Sequence, residues 1–144
     1  SYRGKHSFGP FDNFSAIIGE NGTGKSNLFD ALCFVLGANA NVMRCQQLTN
    51  LIWNGSPNPI CAKVTLKLRL SENDPDQIVI KRKIMSNGNS HYYINKSKKS
   101  ATEYRSSMIE FGFPSKLQSY VIFQGDIQQI ASMMDINHRL FLIE

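Results

Sequence analysis

A glycine-rich stretch near the start of the chain constrains its fold more than any other feature. Residues 19–26 read Gly-Glu-Asn-Gly-Thr-Gly-Lys-Ser and fit G-x-x-x-x-G-K-[ST], the pattern of a phosphate-binding loop. The apolar residues 14–18 before it are typical of a buried strand, and residues 27–36 after it predict a helix that ends at Gly37. A strand before and a helix after disfavour a glycine-rich turn that fits by chance. The chain is therefore expected to be an α/β nucleotide-binding unit.

The chemistry of phosphate binding explains the spacing within this loop. Glycines let the backbone curl so that successive N–H groups face a phosphate, and the helix that follows points its positive end at the same anion. In this pattern Lys25 reaches the β- and γ-phosphates, and the Ser26 hydroxyl holds Mg²⁺. The loop indicates a nucleotide with Mg²⁺ but does not identify the base.

Composition narrows the class of protein. The 144 residues are 42% hydrophobic, which is enough for one globular domain, and the net charge of +5 admits an anionic partner. The three cysteines form no C-x-x-C pair, so neither a zinc site nor a disulfide framework is expected, and we expect reduced thiols in an intracellular protein. No apolar run approaches the roughly 20 residues of a membrane span.

Residues 62–95 predict an antiparallel β-meander. Val64, Leu66, Leu68 and Leu70 alternate with Lys63, Thr65, Lys67 and Arg69, as in a strand with one buried face. Turns at 71–76 and 87–89 separate this strand from two further strands at 77–84 and 91–94. The capping box Ser100-Ala101-Thr102-Glu103 then predicts a helix that ends at Gly112.

The residues after this helix contain half of an NTPase site. A second core strand is predicted at 117–123, and Gln124 stands where the acid of a Mg²⁺ site belongs, with Asp126 too far beyond the strand. Gln124 suits a positioning role toward metal and water, although a polar residue that merely ends a strand remains an alternative. A guanine-binding motif fails because Asn95-Lys96-Ser97-Lys98 lacks its acid. A small P-loop kinase, with Lys96, Lys98 and Lys99 as a lid, also stays open, although these lysines are more simply a solvated turn.

The motifs taken together resemble the N-terminal head segment of an SMC (structural maintenance of chromosomes) ATPase. The resemblance covers essentially the whole chain, with Gly9-Pro10-Phe11, the loop, Asn27-Leu28, and a Q-loop at Phe123-Gln124-Gly125, in order and correctly separated. Within the family the chain most resembles the cohesin type of SMC subunit, and Ser1-Tyr2-Arg3-Gly4 is one of the motifs on which this likeness rests. A condensin subunit comes second because of residues 130–134.

The resemblance implies a fold and a set of partners. The fold is a P-loop NTPase of the ABC-type ATPase head, of which residues 1–144 are the N-terminal lobe, with the coiled-coil arm beginning at about residue 136. The Walker B acid, the catalytic Glu and the signature motif lie in the C-terminal lobe, so this segment binds ATP but hydrolyses it only when complemented. A second SMC head, a kleisin subunit, DNA, and a location on chromosomes in the nucleus are implied as well.

The resemblance also assigns roles to matching residues. Gly19, Glu20, Asn21, Gly22, Thr23, Gly24, Lys25 and Ser26 hold the ATP phosphates, Ser26 and Gln124 hold Mg²⁺, and Lys25 and Gln124 serve catalysis. Arg44 matches an arginine that reaches toward nucleotide or DNA. Glu20 and Thr23 depart from the family's usual Pro and Ser, and Glu20 brings a negative charge near the triphosphate unless its side chain points outward.

A basic strand face is the candidate DNA-binding surface. Nine of the sixteen Lys and Arg residues lie between Lys63 and Lys99, against three acids. The alternation places Lys63, Lys67 and Arg69 on one exposed face, with Lys81 and Lys83 on the neighbouring strand. Such a face contacts phosphates without reading sequence, and a merely solvated strand face is the open alternative.

Overall fold

The computed structural model describes residues 2–12, 14–43, 45–55, 60–69, 76–113 and 122. Within these ranges the chain forms two α-helices, four strands and one short 3-10 helix. In chain order they are α1 (Lys25–Val35), the 3-10 helix (Leu48–Leu51), β1 (Cys61–Leu68), β2 (Ile78–Met85), β3 (Ser90–Ile94), β4 (Ser97–Lys99) and α2 (Ala101–Glu110). Neither of the two described α-helices has the length and apolar character of a membrane-spanning segment.

The four strands form one antiparallel sheet in the order β1-β2-β3-β4. The meander predicted at 62–95 is confirmed and is one strand longer, because β4 follows a two-residue turn at Asn95 and Lys96. Both turn residues have positive φ, 47° and 72°, the backbone that matches the twist of a tight hairpin. Lys98 and Lys99 are therefore strand residues and do not lie in a solvated turn.

The core lies between one face of this sheet and the two helices. Alternate residues of β1 and β2 turn inward, as the sequence predicted, and Ile80 and Ile84 are fully buried. Phe34 and Val35 from α1 and Tyr104 and Met108 from α2 cover them. The sheet thereby fixes where α1, and the glycine-rich loop at its start, can sit.

Both helices end as the sequence predicted. Gly37, with φ of 101°, donates to the Phe34 carbonyl at 3.2 Å, and Ala38 donates to the Cys33 carbonyl at 2.9 Å. This is the Schellman arrangement, in which a left-handed residue satisfies the last carbonyls of a helix. Gly112 ends α2 in the same way.

The strand predicted at 14–18 is wrong for the described part of the chain. Residues 14–18 have no strand structure there, and Phe14 and Ile18 are 93% and 92% exposed. A strand is stable only when a neighbour pairs with its backbone, and no described segment forms such a pairing with residues 14–18. The predicted strand at 117–123 lies outside the described residues except for Ile122, and the arm from residue 136 lies outside them too.

Candidate nucleotide-binding site

The glycine-rich loop leads directly into the first turn of α1. Gly22 and Gly24 have φ values of 85° and 97°, a backbone region that other L-residues rarely adopt. The Thr23 hydroxyl donates to the carbonyl of Glu20 at 2.8 Å, which closes the loop on itself. The side chain of Glu20 is exposed. The residue types that defined the motif are therefore those that this curled backbone requires.

The N-terminal end of α1 is open to an anion. No side chain of the described residues caps this end, and no acidic residue lies in its first turn. Uncapped N–H groups at a helix start carry partial positive charge and bind phosphate readily. Ser26 is exposed in this first turn, so its hydroxyl is accessible beside the same N–H groups.

Lys25 lies over the loop. Its ammonium donates to the carbonyl oxygens of Gly19 and Glu20, at 2.6 Å each. These contacts hold the charge at the mouth of the curl formed by the loop. A triphosphate fits this set of donors: backbone N–H groups from the loop and helix, one ammonium, and one hydroxyl for a metal bound to the phosphates.

Tyr2 is a residue of this site that the sequence motifs do not predict. Its hydroxyl donates to the carbonyl of Gly24 at 2.5 Å, and its ring packs against His6 and Phe8, with centroids 5.2 and 5.5 Å apart. A Cβ on Gly24 would lie 2.8 Å from the Tyr2 ring. Gly24 is therefore required twice, by its φ and by the tyrosine above it. Because 22 residues separate the pair, no local pattern reveals the contact.

An open cavity of about 350 Å³ lies beside the start of α1. Lys25, Ser26 and Asp30 border it, together with the apolar residues Ile17, Phe29, Leu32 and Ile122. Ile17, Phe29 and Ile122 are exposed, like Phe14 and Ile18 nearby in the chain. We refer to these five exposed apolar residues, Phe14, Ile17, Ile18, Phe29 and Ile122, as the apolar patch.

The residues predicted to contact DNA lie on the face of the sheet away from the helices. Lys63 and Lys67 are exposed on β1, Arg69 follows directly after that strand, and Lys81 and Lys83 lie on β2. In the register Lys63 pairs with Lys83, and the Lys81 ammonium lies 5.2 Å from the centroid of the Tyr93 ring. We call these five basic residues the outer basic face.

The structure describes all eight predicted residues of the phosphate-binding loop but not two other predicted site residues. Gly19 through Ser26 lie together, whereas Arg44 and Gln124 lie outside the described residues, so their roles stay predictions. In the described ranges no cluster of three or more His, Cys, Asp or Glu side chains is arranged to hold a metal ion.

Comparison with known families identifies one that matches most of the chain. The profile of the family described as RecF/RecN/SMC N terminal domain matches residues 1–119. "Structural maintenance of chromosomes protein 1" of Arabidopsis thaliana is 37% identical over 135 residues, covering 92% of this chain and 11% of that protein. "Structural maintenance of chromosomes protein 4" of Saccharomyces cerevisiae is 35% identical over 147 residues, covering 92% and 10%. The "Chromosome partition protein Smc" of Pyrococcus furiosus is 33% identical over 151 residues, covering 99% and 13%.

Solved structures show the same similarity. A chain studied for the ATP-driven dimerization and DNA-stimulated activation of SMC ATPases superposes with a TM-score of 0.75 at 32% identity, covering 92% of this chain and 85% of that one. The Smc head domain of Pyrococcus furiosus, bound to the C-terminal domain of ScpA, gives 0.65 at 31% identity, covering 84% and 32%. The chain spans about a tenth of the length of the curated relatives it matches.

Proposed function

Because this chain belongs to the RecF/RecN/SMC N-terminal domain family, we propose that it is the ATP-binding lobe of an SMC ATPase head that organises chromosomes. The observation that carries the proposal is the position of Lys25, whose ammonium lies over a glycine-rich loop at the uncapped start of α1. This arrangement binds the phosphates of a nucleotide. The names of the relatives associate the family with chromosomes.

Each group in the loop has a distinct task in this proposal. The N–H groups of residues 20–26 and the Lys25 ammonium bind and orient the phosphate oxygens, and the exposed Ser26 hydroxyl supplies one ligand for Mg²⁺. The metal, when bound, neutralises charge on the β- and γ-phosphates. Gln124 is proposed as a second ligand that also orients water, and Arg44 as a group that reaches the nucleotide or DNA; both proposals rest on the family motifs.

The apolar patch supports a division of the head into two lobes. Its five residues are all exposed, and three of them, Ile17, Phe29 and Ile122, border the cavity at the phosphate site. Exposed apolar surface that clusters in this way marks an interaction site. We propose that the C-terminal lobe of the same protein covers it and supplies the missing acid. The match covers only 40% of the chain in a structure of the SmcHead bound to the C-winged helix domain of ScpA, which leaves room for such a lobe.

The proposed partners follow from the similar structures. One similar structure comes from a study of the ATP-driven dimerization of SMC ATPases. In another, the Smc head domain is bound to the C-terminal domain of ScpA. For this chain we propose a second SMC head in a heterodimer and a kleisin subunit. A cohesin subunit in the nucleus, active in sister chromatid cohesion and DNA loop organisation, is the finer proposal. Relatives named protein 1 support it, although protein 4 relatives and an archaeal Smc are similar as well.

DNA is the proposed partner of the outer basic face. Its five cations lie on one side of a sheet whose other side is covered by α1 and α2. Such a surface binds the phosphate backbone without base contacts, so affinity depends strongly on salt.

Calorimetry with ATP and Mg²⁺ tests the nucleotide site directly. Lys25→Ala is expected to lose at least about 2 kcal/mol of binding free energy, as when one partner of a hydrogen-bonded charge pair is truncated. Lys5→Ala, which removes an exposed lysine outside the loop, is the matched control. Equal affinities of the Lys25 variant and the wild type would refute the site.

Turnover separates this proposal from the kinase alternative, which the family match disfavours. The chain alone is expected to show negligible ATP hydrolysis, and addition of the C-terminal lobe and a partner head is expected to restore it. Hydrolysis or phosphotransfer by the purified chain alone, abolished by Lys25→Ala, would instead indicate a complete NTPase or kinase.

Gln124→Ala tests the proposed Q-loop role. ATP affinity is expected to stay near the wild-type value, because Lys25 and the loop N–H groups provide most of the binding energy. Single-turnover hydrolysis in the complemented enzyme is expected to fall, since metal and water lose a positioning group. Wild-type turnover would mean that Gln124 only ends a strand.

A further inference from the structure

The C-terminal end of α1 is held by two side chains from other elements. The Arg82 guanidinium, from β2, donates through Nη1 to the carbonyls of Phe34 and Ala38 at 2.8 and 2.7 Å. The Tyr104 hydroxyl, from α2, donates to the carbonyl of Val35 at 2.5 Å. Carbonyls in the last turn of a helix need such partners, and a cation there also meets the negative end of the helix dipole.

Arg82 is unusual because it is charged and only 2% exposed. Its guanidinium lies between two rings, 4.4 Å from the centroid of Phe34 and 5.3 Å from that of Tyr92. Burial lowers its pKa, but an arginine stays protonated in proteins. The Nε atom has no hydrogen-bond partner within the described part of the chain. Burying a charge is costly, so the two bonds to α1 and the two ring faces have to compensate for it.

The position of Arg82 in the strand connects two surfaces. Arg82 points toward α1, whereas its neighbours Lys81 and Lys83 lie on the outer basic face. The helix that Arg82 holds is 11 residues long and begins with Lys25. A helix of that length is a stiff rod of about 16 Å, so a displacement at one end reaches the other.

We infer that Arg82 is a positioning residue, which fixes α1 to β2 and thereby sets the position of the phosphate loop at the opposite end of the helix. This inference rests on the proposed ATPase function for its consequence in turnover, but the positioning itself is independent of ATP. Loss of Arg82 keeps the phosphate-binding groups of the loop but loosens the anchoring of α1. The loop then opens more often and is misplaced relative to groups supplied by the rest of the head. Nucleotide binding is then preserved better than hydrolysis is.

The test uses the full-length protein in its ATPase assembly, with Arg82→Met, Arg82→Lys and Tyr104→Phe. Tyr104→Phe is the matched control, because it removes one hydrogen bond to the same helix turn and keeps the ring. For Arg82→Met we expect single-turnover hydrolysis to fall about tenfold or more, the scale of a small misplacement, with ATP affinity changed less than about threefold. Hydrogen exchange of amides 20–28 without nucleotide should be faster than in the wild type. Tyr104→Phe leaves both Arg82 bonds to the end of α1 in place, so it should lower the melting temperature but leave hydrolysis and loop exchange near wild type.

Two further outcomes complete the test. Arg82→Lys keeps the charge and donors but loses the planar fork between the rings, so hydrolysis is expected between the wild type and Arg82→Met. If Arg82→Met does not fold, hydrolysis and loop exchange of Arg82→Lys are compared with those of Tyr104→Phe instead. Equal effects of the Arg82 and Tyr104 variants on loop exchange would overturn the inference and leave Arg82 a stabilising residue only. If the wild type binds no ATP, the proposed function fails, whereas loop exchange still reports on Arg82.

Discussion

Lys63 lies directly opposite Lys83 in the register of β1 and β2. Like charges that face each other across a strand pair destabilise a sheet, by an amount in the range of about 0.2–1 kcal/mol. Thr65 faces Lys81 two pairs further along, on the same face of the sheet, so basic side chains continue on that surface. An anionic partner that lies over both strands would relieve this repulsion, which makes the pair a sensitive probe of the outer basic face.

Lys63→Glu is expected to change stability and DNA binding in opposite directions. An attractive pair with Lys83 replaces a repulsive one, so the free energy of unfolding should rise by about 0.5 kcal/mol. Affinity for duplex DNA should fall, because a phosphate contact is lost and a repulsion is added. Lys5→Glu makes the same change in net charge away from the sheet. Chemical denaturation and DNA titration of both variants decide, and equal loss of DNA affinity in both would contradict a localised surface.

The salt dependence of DNA binding gives a second test of this surface. Reversing Lys67 and Arg69 to Glu should weaken binding by a similar factor for all duplex sequences and flatten its dependence on salt concentration. The measurement is the slope of log affinity against log salt for the wild type and the double variant. An unchanged slope would mean that these two side chains are only solvated.

The fold class, the family and the meander were predictable from the sequence because each rests on a local pattern. The loop glycines, the capping box and the alternation of β1 each fix the backbone within a few residues, and the structure confirms all three. Residues 14–18 show where local patterns fail. Their apolar character indicates burial, but a strand exists only beside another strand, and that depends on parts of the chain remote in sequence.

Arg82 shows a different limit. In the sequence it stands between Lys81 and Lys83 and is counted with the basic residues, yet the period of two places it with Ile80 and Ile84 on the buried face. The alternation was therefore sufficient to predict its direction. It did not predict the carbonyl oxygens of Phe34 and Ala38, which make an inward arginine tolerable and lie more than 40 residues earlier in the chain.

Cys33 is expected to be the slowest of the three cysteines to react with alkylating reagents. It lies on the buried face of α1, and burial, aided by the nearby charge of Asp30, raises the pKa of its thiol to about 11. At pH 8 the thiolate form of Cys33 is therefore about a hundredfold scarcer than the thiolate form of a cysteine with the ordinary pKa. Only the thiolate reacts with these reagents, so labelling slows accordingly. Cys61 is half-buried and should react earlier. Mass spectrometry of iodoacetamide-treated native protein measures the order, and a denatured sample is the control. Cys33 labelling as fast as Cys61 would contradict the packing.

The capping box of α2 should lose its effect in acid. Ser100 donates from its backbone N–H to Glu103 at 2.7 Å, and this bond is the main cause of the lowered pKa of the carboxyl. A carboxyl with a folded pKa below its unfolded value stabilises the fold above the unfolded pKa, near 4.5, and this contribution disappears as pH falls through the folded pKa. Glu103→Gln keeps an acceptor but cannot titrate, so its stability should fall less steeply below pH 5 in thermal melts. Ser100→Ala should cost about 1 kcal/mol at neutral pH.

The apolar patch is the proposed interface with the C-terminal lobe. Phe14 and Ile18 are almost fully exposed, and burying each against a second lobe would contribute about 1.5–3 kcal/mol to association. Phe14→Ser combined with Ile18→Ser should therefore weaken binding of the C-terminal lobe, supplied as a separate polypeptide, by about a hundredfold or more. Ile109→Ser is the matched control, because Ile109 is 52% exposed on α2 and lies outside the patch.

In the wild-type complex the amides of residues 15–18 should also become protected from hydrogen exchange, since the strand predicted there then has a neighbour to pair with. Undiminished binding by the double variant, or amides 15–18 that exchange as fast in the complex as in the free chain, would show that the patch faces something other than the C-terminal lobe.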